Sequence, residues 1–140
     1  MSEQFKILTQ FVKDMSSETP DAETYLYVKE YLKNYNLNID ITTKPLKNRM
    51  IEVNTKLSYM DKGKSKNKSY FEITYASIIK IEEQIKDKKI IEKIILCDVQ
   101  KEIYPDLEKI FINLLSNSGF PGIKFEKKVD FEQLYNQRLN

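Results

Sequence analysis

The 140-residue chain predicts an α+β fold: a four-stranded antiparallel sheet with a long crossover after strand 1 and C-terminal helices packed on one face. Three observations lead there. Apolar residues alternate with period two in separate segments of the first half, the pattern of half-buried strands. Beyond Ile90 they recur at helical spacing instead. The chain shows no internal repeat, and strands followed by helices stack as helices on one side of an antiparallel sheet.

The first strand, from Phe5 to Val12, has the weakest alternation: Phe5, Ile7 and Phe11 are placed on one face, with Leu8 and Val12 apolar on the other. A long connection follows, from about Met15 to Tyr35, in which Tyr25, Val28, Leu32 and Tyr35 keep the spacing of a short helix. The second strand sets Leu37, Ile39 and Ile41 against Asn36, Asn38, Asp40 and Thr42. The third, Met50 to Met60, sets Ile51, Val53, Leu57 and Tyr59 against Glu52, Asn54, Lys56 and Ser58. The fourth, Tyr70 to Ile81, turns Phe71, Ile73, Tyr75, Ile79 and Ile81 one way and Tyr70, Glu72 and Thr74 the other. The stretch from Asp61 to Ser69 joins the last two as a hairpin.

In the second half, Ile90, Ile91, Ile94 and Ile95 form one helical stripe, and Leu107, Ile110, Phe111 and Leu114 another. Pro105 fits the first turn of the second helix or the interior of one longer helix. Gly119 and Pro121 stop it. Asp130, with Gln133 three residues on, caps a terminal helix.

One domain, residues 1–140, accommodates all of this. No apolar run reaches the roughly 18–20 residues that span a bilayer. The N-terminus lacks the basic start and apolar stretch of a signal peptide, so a cytoplasmic protein is expected. The net charge of +2 comes from 23 Lys and Arg against 21 Asp and Glu. The arginines are only Arg49 and Arg138, so the bidentate contacts of a nucleic-acid reader are largely missing. Lys62, Lys64, Lys66 and Lys68 read as a solvated hairpin loop. With no histidine, one cysteine (Cys97) and three glycines, the chain carries no imidazole base, CxxC site, P-loop or dinucleotide fingerprint. A non-enzyme with no cofactor and no metal site is expected. Cys97 reads as a small buried hydrophobe.

Three stretches resemble the SecB family of export chaperones. From Phe11 to Ala22 the order Lys13, Asp14, Ser16, Glu18, Pro20, Ala22 looks like the family's K-D-x-S-x-E-x-P-x-A. Glu72-Ile73-Thr74-Tyr75-Ala76 is similar to its E-V-Q-Y-A. Tyr104-Pro105, Ser118-Gly119-Phe120-Pro121 and Val129-Asp130-Phe131 with Leu134-Tyr135 follow its F-P, G-G-F-P and I-D-F-x-x-L-Y anchors. Ser77 stands where the fourth strand often has glycine, and Val99-Gln100 replaces a cysteine-proline pair.

The resemblance implies an ATP-independent holding chaperone for unfolded precursor proteins, delivering them to the motor SecA. It further implies a homotetramer, a dimer of dimers, with no nucleic-acid partner and no direct membrane insertion. Matched motif by motif, the SecA contact falls on Asp14, Glu18, Tyr70 and Glu72; the plainer alternative is ordinary surface carboxylates. Precursor binding falls on Tyr25, Tyr27, Tyr31 and Tyr35 in the crossover, with Leu37, Ile39 and Ile41 beyond it. Tyrosine rings suit promiscuous contact, but the same residues could equally fill the core. Two other functions remain open at this level. One is a SecB-like chaperone dedicated to a single partner such as an antitoxin; the other is an unrelated small α+β ligand-binding protein.

Overall fold

The computed structural model describes residues 4–63, 66–125 and 129–138. Its elements run β1 (Phe5–Glu18), α1 (Ala22–Glu30), β2 (Tyr35–Pro45), β3 (Met50–Asp61), β4 (Tyr70–Ile81), α2 (Lys88–Lys93), α3 (Val99–Asn117) and α4 (Phe131–Arg138). A 3₁₀ turn at Leu32–Asn34 leads into β2, and one wide π turn, Ile94–Asp98, joins α2 to α3. The antiparallel sheet has the order β1-β4-β3-β2, so the crossover carries the chain from one edge to the other. This is the predicted fold.

Direct partners across antiparallel strands share a face. Ser17, Phe71, Tyr59 and Leu37 form one inward row, and Met15, Ile73, Leu57 and Ile39 the next. These rows meet Leu107, Phe111 and Leu115 of α3, which are fully buried with Phe71, Ile73 and Leu57 in a single core. Period two dictated the bounds of β4, because its inward residues are all sealed while Tyr70, Glu72 and Thr74 keep partial access to solvent.

β1 corrects the sequence-based assignment. It runs six residues beyond Val12, to Glu18, with register shifts between Ile7 and Thr9 and between Val12 and Asp14. An extra residue in a strand flips every later side chain to the other face. Phe11 therefore pairs with Ala76 on the outer face, while Phe5 and Ile7 pair with Ile81 and Ile79 on the inner one. Val12, opposite Tyr75, faces inward. The bulges erased the alternation that would have announced a long strand.

The crossover is correspondingly shorter. Asp21 caps α1 by accepting from the Thr24 N–H (2.8 Å), and the Thr24 side chain together with that N–H holds its carboxyl below the usual range. Tyr35 belongs to β2 rather than to a helical stripe. At the far end of the sheet the β2–β3 turn passes through Asn48 and Arg49, both left-handed (φ 60° and 61°). Asparagine tolerates that region; an arginine there is uncommon. Arg49 is secured by donating to the carbonyls of Glu82 (2.8 Å) and Ile85 (2.7 Å), which also anchors the link from β4 to α2.

The helical half is nearly continuous. Pro105 lies well inside α3, which settles the longer-helix alternative. Gln100, fully buried, fills the polar gap beside the π turn: its amide donates to the Ile95 carbonyl (3.3 Å) and its oxygen accepts from Thr55 Oγ1 (2.9 Å). Gly119 ends the helix at φ 101°, where a Cβ would come within 2.5 Å of the Tyr25 ring. Asp130 caps α4 through the Gln133 N–H (3.0 Å), as predicted. Cys97 is buried, and burial pushes its thiol up. In the hairpin loop Lys62 and Lys66 are exposed and Lys68 is half-buried; Lys64 lies outside the described residues.

Candidate functional site: a groove between the β2 edge and α4

β2 closes one edge of the sheet, and α4 lies across from it. Between them opens a cavity of about 990 Å³ whose floor is Tyr35, Leu37, Ile39 and Tyr59 and whose opposite wall includes Phe125, Val129 and Leu134. A second space of about 280 Å³ continues along β2, bounded by Ile39, Ile41, Leu96, Leu134 and Tyr135. Lys33, Lys124 and Asp130 rim the larger one. The side chains that point inward from β2 repeat every ~6.6 Å, the same-side repeat of any extended chain. An edge strand also offers backbone N–H and C=O groups without a neighbouring strand.

Contacts with α2 and α3 help hold α4 in place. Phe131 is buried edge-on against Tyr104 (ring centroids 5.3 Å), and Glu132 pairs with Lys101 (2.7 Å). Tyr135 Oη reaches the Lys89 carbonyl (3.5 Å). Leu134 is thereby left 42% exposed over the groove.

The seven residues expected to bind precursors divide into three groups. Tyr35, Leu37, Ile39 and Ile41 line the groove. Tyr35 is buried, its ring against Tyr59 (5.4 Å); its hydroxyl donates to the Ser69 carbonyl (3.1 Å) and accepts from the Ser69 N–H (2.9 Å). Burial pushes its phenol up, so it remains a fixed, neutral wall. Tyr25 packs on Phe120 (5.1 Å) and donates to the Gly119 carbonyl (2.7 Å), binding the crossover to the end of α3. Tyr27 and Tyr31 pack against each other with tilted rings (4.6 Å); Tyr31 is exposed, and so is Leu26 of α1, at 65%. The groove residues that strand reading missed, Phe125, Val129 and Leu134, sit in and before α4; Val129 and Leu134 were signalled in the sequence only as parts of the Val129-Asp130-Phe131 and Leu134-Tyr135 anchors, and Phe125 not at all.

On the opposite face of the sheet, Asp14, Ser16 and Glu18 of β1 pair with Thr74, Glu72 and Tyr70 of β4. All four residues expected to contact SecA thus share one outward surface. Asp14 and Glu18 are exposed on the edge strand; Glu72 is on a central strand, ion-paired with Lys56. Toward the other end of that face Lys13 pairs with Glu52 (2.6 Å), which Asn54 also contacts (2.9 Å). These donors hold the Glu52 carboxyl below its ordinary value. Among the described residues no group of His, Cys, Asp and Glu is placed to hold a metal ion, and no helix is long and apolar enough to cross a membrane.

The family described as "Preprotein translocase subunit SecB" matches residues 1–140. The chain belongs to the SecB family. The putative protein-export protein SecB of Pelagibacter ubique (strain HTCC1062) is 59% identical over 140 residues, covering 100% of both chains. The protein-export protein SecB of Parvibaculum lavamentivorans is 27% identical, with 96% of this chain and 79% of that one covered. Among solved structures, the Mycobacterium tuberculosis Rv1957 SecB-like chaperone in complex with a ChAD peptide from the HigA1 antitoxin superposes with a TM-score of 0.65. At 10% identity over 90% of this chain and 88% of that one, that likeness shows a shared SecB fold. Family membership accounts for the motifs quoted above and makes the chain a protein-export chaperone of SecB type.

Proposed function

We propose that this chain is an ATP-independent holding chaperone of the cytoplasm that binds unfolded precursor proteins along β2 and delivers them to SecA. The observation that carries the proposal is the apolar groove beside an unpaired strand edge. It suits a stretched polypeptide, because its floor repeats at the spacing of an extended chain and its edge supplies main-chain hydrogen-bonding groups. Such contacts are weak and tolerant of sequence, and several grooves acting on one long client add by avidity. Binding that favours the unfolded form keeps it populated with no nucleotide chemistry. On this account the protein is not an enzyme and needs no cofactor.

Avidity requires assembly, and the working unit is a homotetramer, a dimer of dimers. β1 is the other open edge, and along it Leu8, Phe11, Val12 and Met15 are 40–47% exposed. A long apolar edge strand left uncovered is an aggregation hazard, and a second copy covers it. SecA is read by the outward carboxylates Asp14, Glu18 and Glu72 with Tyr70 beside them. Glu72→Lys should weaken SecA binding in a titration while suppression of client aggregation stays intact; equal loss of both would mean that the surface is misassigned. The export relatives, one matched over its whole length, favour many clients over one dedicated partner. Affinity capture separates the two: an export chaperone recovers many envelope precursors, a dedicated one a single partner.

A further inference from the structure

We infer that Lys56 is an internal competitor for SecA, a specificity-determining lysine that occupies Glu72 until a basic group of the motor displaces it. The inference rests on the proposed SecA surface and adds a residue outside the motifs quoted above.

The register of the sheet makes the arrangement. Glu72 stands on β4 between Ser16 of β1 and Ser58 of β3, so small side chains flank the carboxylate on both sides. Lys56, two residues from Ser58, lies on the same face and reaches Glu72 as an ion pair. The lysine side chain is 43% exposed and the glutamate only 16%, so the lysine is the more open partner of the pair. Asp14 and Glu18, by contrast, are exposed on the edge strand. Any cation arriving at Glu72 must therefore displace or share with Lys56.

The sheet also gives the displaced lysine somewhere to go. Asp40 of β2 is the direct cross-strand partner of Lys56, and it is exposed. Opposed residues have Cβ atoms ~4.5–5.5 Å apart, within reach of a long flexible side chain. Lys56 thus sits between two carboxylates, and a swing from Glu72 to Asp40 exchanges a half-buried partner for an exposed one. Exposed pairs are weak, so the masking is a tuning device.

Titration of SecA into the intact chaperone at low salt tests this. Lys56→Gln should tighten binding by about two- to five-fold, the span expected for release of a surface ion pair. In a Glu72→Gln background the same change should alter affinity by less than about 1.5-fold, because only interacting residues depart from additivity. Asp40→Asn should weaken binding about two-fold, since it removes the alternative partner. Lys13→Gln supplies the control for loss of positive charge elsewhere on the face, which acts only through screened long-range attraction. An affinity for Lys56→Gln equal to or below that of the parent protein overturns the inference while leaving the SecA surface standing. So does a gain that Lys13→Gln matches or that persists without Glu72. Failure of every variant and the parent to bind SecA, with client holding preserved, overturns the surface itself and the inference with it.

Discussion

Ile39 and Leu57 face each other across β2 and β3 on the same side of the sheet, yet only Leu57 is fully sealed. Ile39 is half-buried and lines both parts of the groove. Truncating each to alanine should therefore separate stability from binding. Leu57→Ala removes a fully buried side chain and should cost about 2–5 kcal/mol of folding stability. With a urea dependence of about 1–3 kcal/mol per molar, the unfolding midpoint should fall by roughly 1–2 M. Ile39→Ala gives up only part of a burial worth about 1.5–3 kcal/mol, so the folding loss should be near 1 kcal/mol. The smaller, open part of that surface is available to a client, and its loss should cost about 0.5–1 kcal/mol of binding, or roughly two- to five-fold in Kd. The assay is fluorescence titration with an unfolded peptide short enough to occupy one groove, at a urea concentration where both variants remain folded. Unchanged affinity in Ile39→Ala, or an equal loss in folded Leu57→Ala, would refute the assignment of β2 to the client.

Three further outcomes follow from other contacts. Thr55→Val leaves the buried Gln100 oxygen without its donor and should cost about 1–3 kcal/mol; Gln100→Met in that background should recover most of it, as denaturant titrations would read. Lys13 and Asn54 hold the Glu52 carboxyl below its ordinary 4.5, so its contribution is present at neutral pH and is lost as pH falls below 4.5 through the lower folded value. The difference in urea midpoint between the parent and Glu52→Gln should accordingly shrink between pH 7 and pH 3. Val12→Lys with Met15→Lys places charge on the exposed β1 edge and should lower the mass measured by light scattering below a tetramer while the circular dichroism spectrum is unchanged.

The sequence made β2, β3 and β4 legible because apolar residues turned to the core alternate with polar ones along most of each strand. β1 was not, since the shifts at Leu8 and Lys13 reverse the phase twice and an edge strand seals little on either face. Tyr35 kept helical spacing with Tyr25, Val28 and Leu32, although the helix stops at Glu30 and one 3₁₀ turn restores the strand. Among the site residues, Leu37, Ile39 and Ile41 were readable as an inward row, but a row that is half groove and half core looks the same in a sequence. Only the position of α4 decides how much of it stays open, and nothing local to β2 encodes that. Tyr25, Tyr27, Tyr31 and Tyr35 have identical side chains and different surroundings: Tyr25 bound to Gly119, Tyr27 and Tyr31 packed on each other, Tyr35 in the wall. The Lys56–Glu72 pair depends on the β3–β4 register, which the hairpin in the sequence left open and the strand pairing sets.

The most direct test places a photo-activated cross-linking side chain at position 37 of β2, in the groove, and separately at position 42, on the outer face. Without nucleotide, the probe at 37 should capture a protein kept permanently unfolded and ignore the same protein in its native form, while the probe at 42 captures neither. Equal labelling from both positions, or no capture from position 37 by a protein that still suppresses aggregation, would contradict the account.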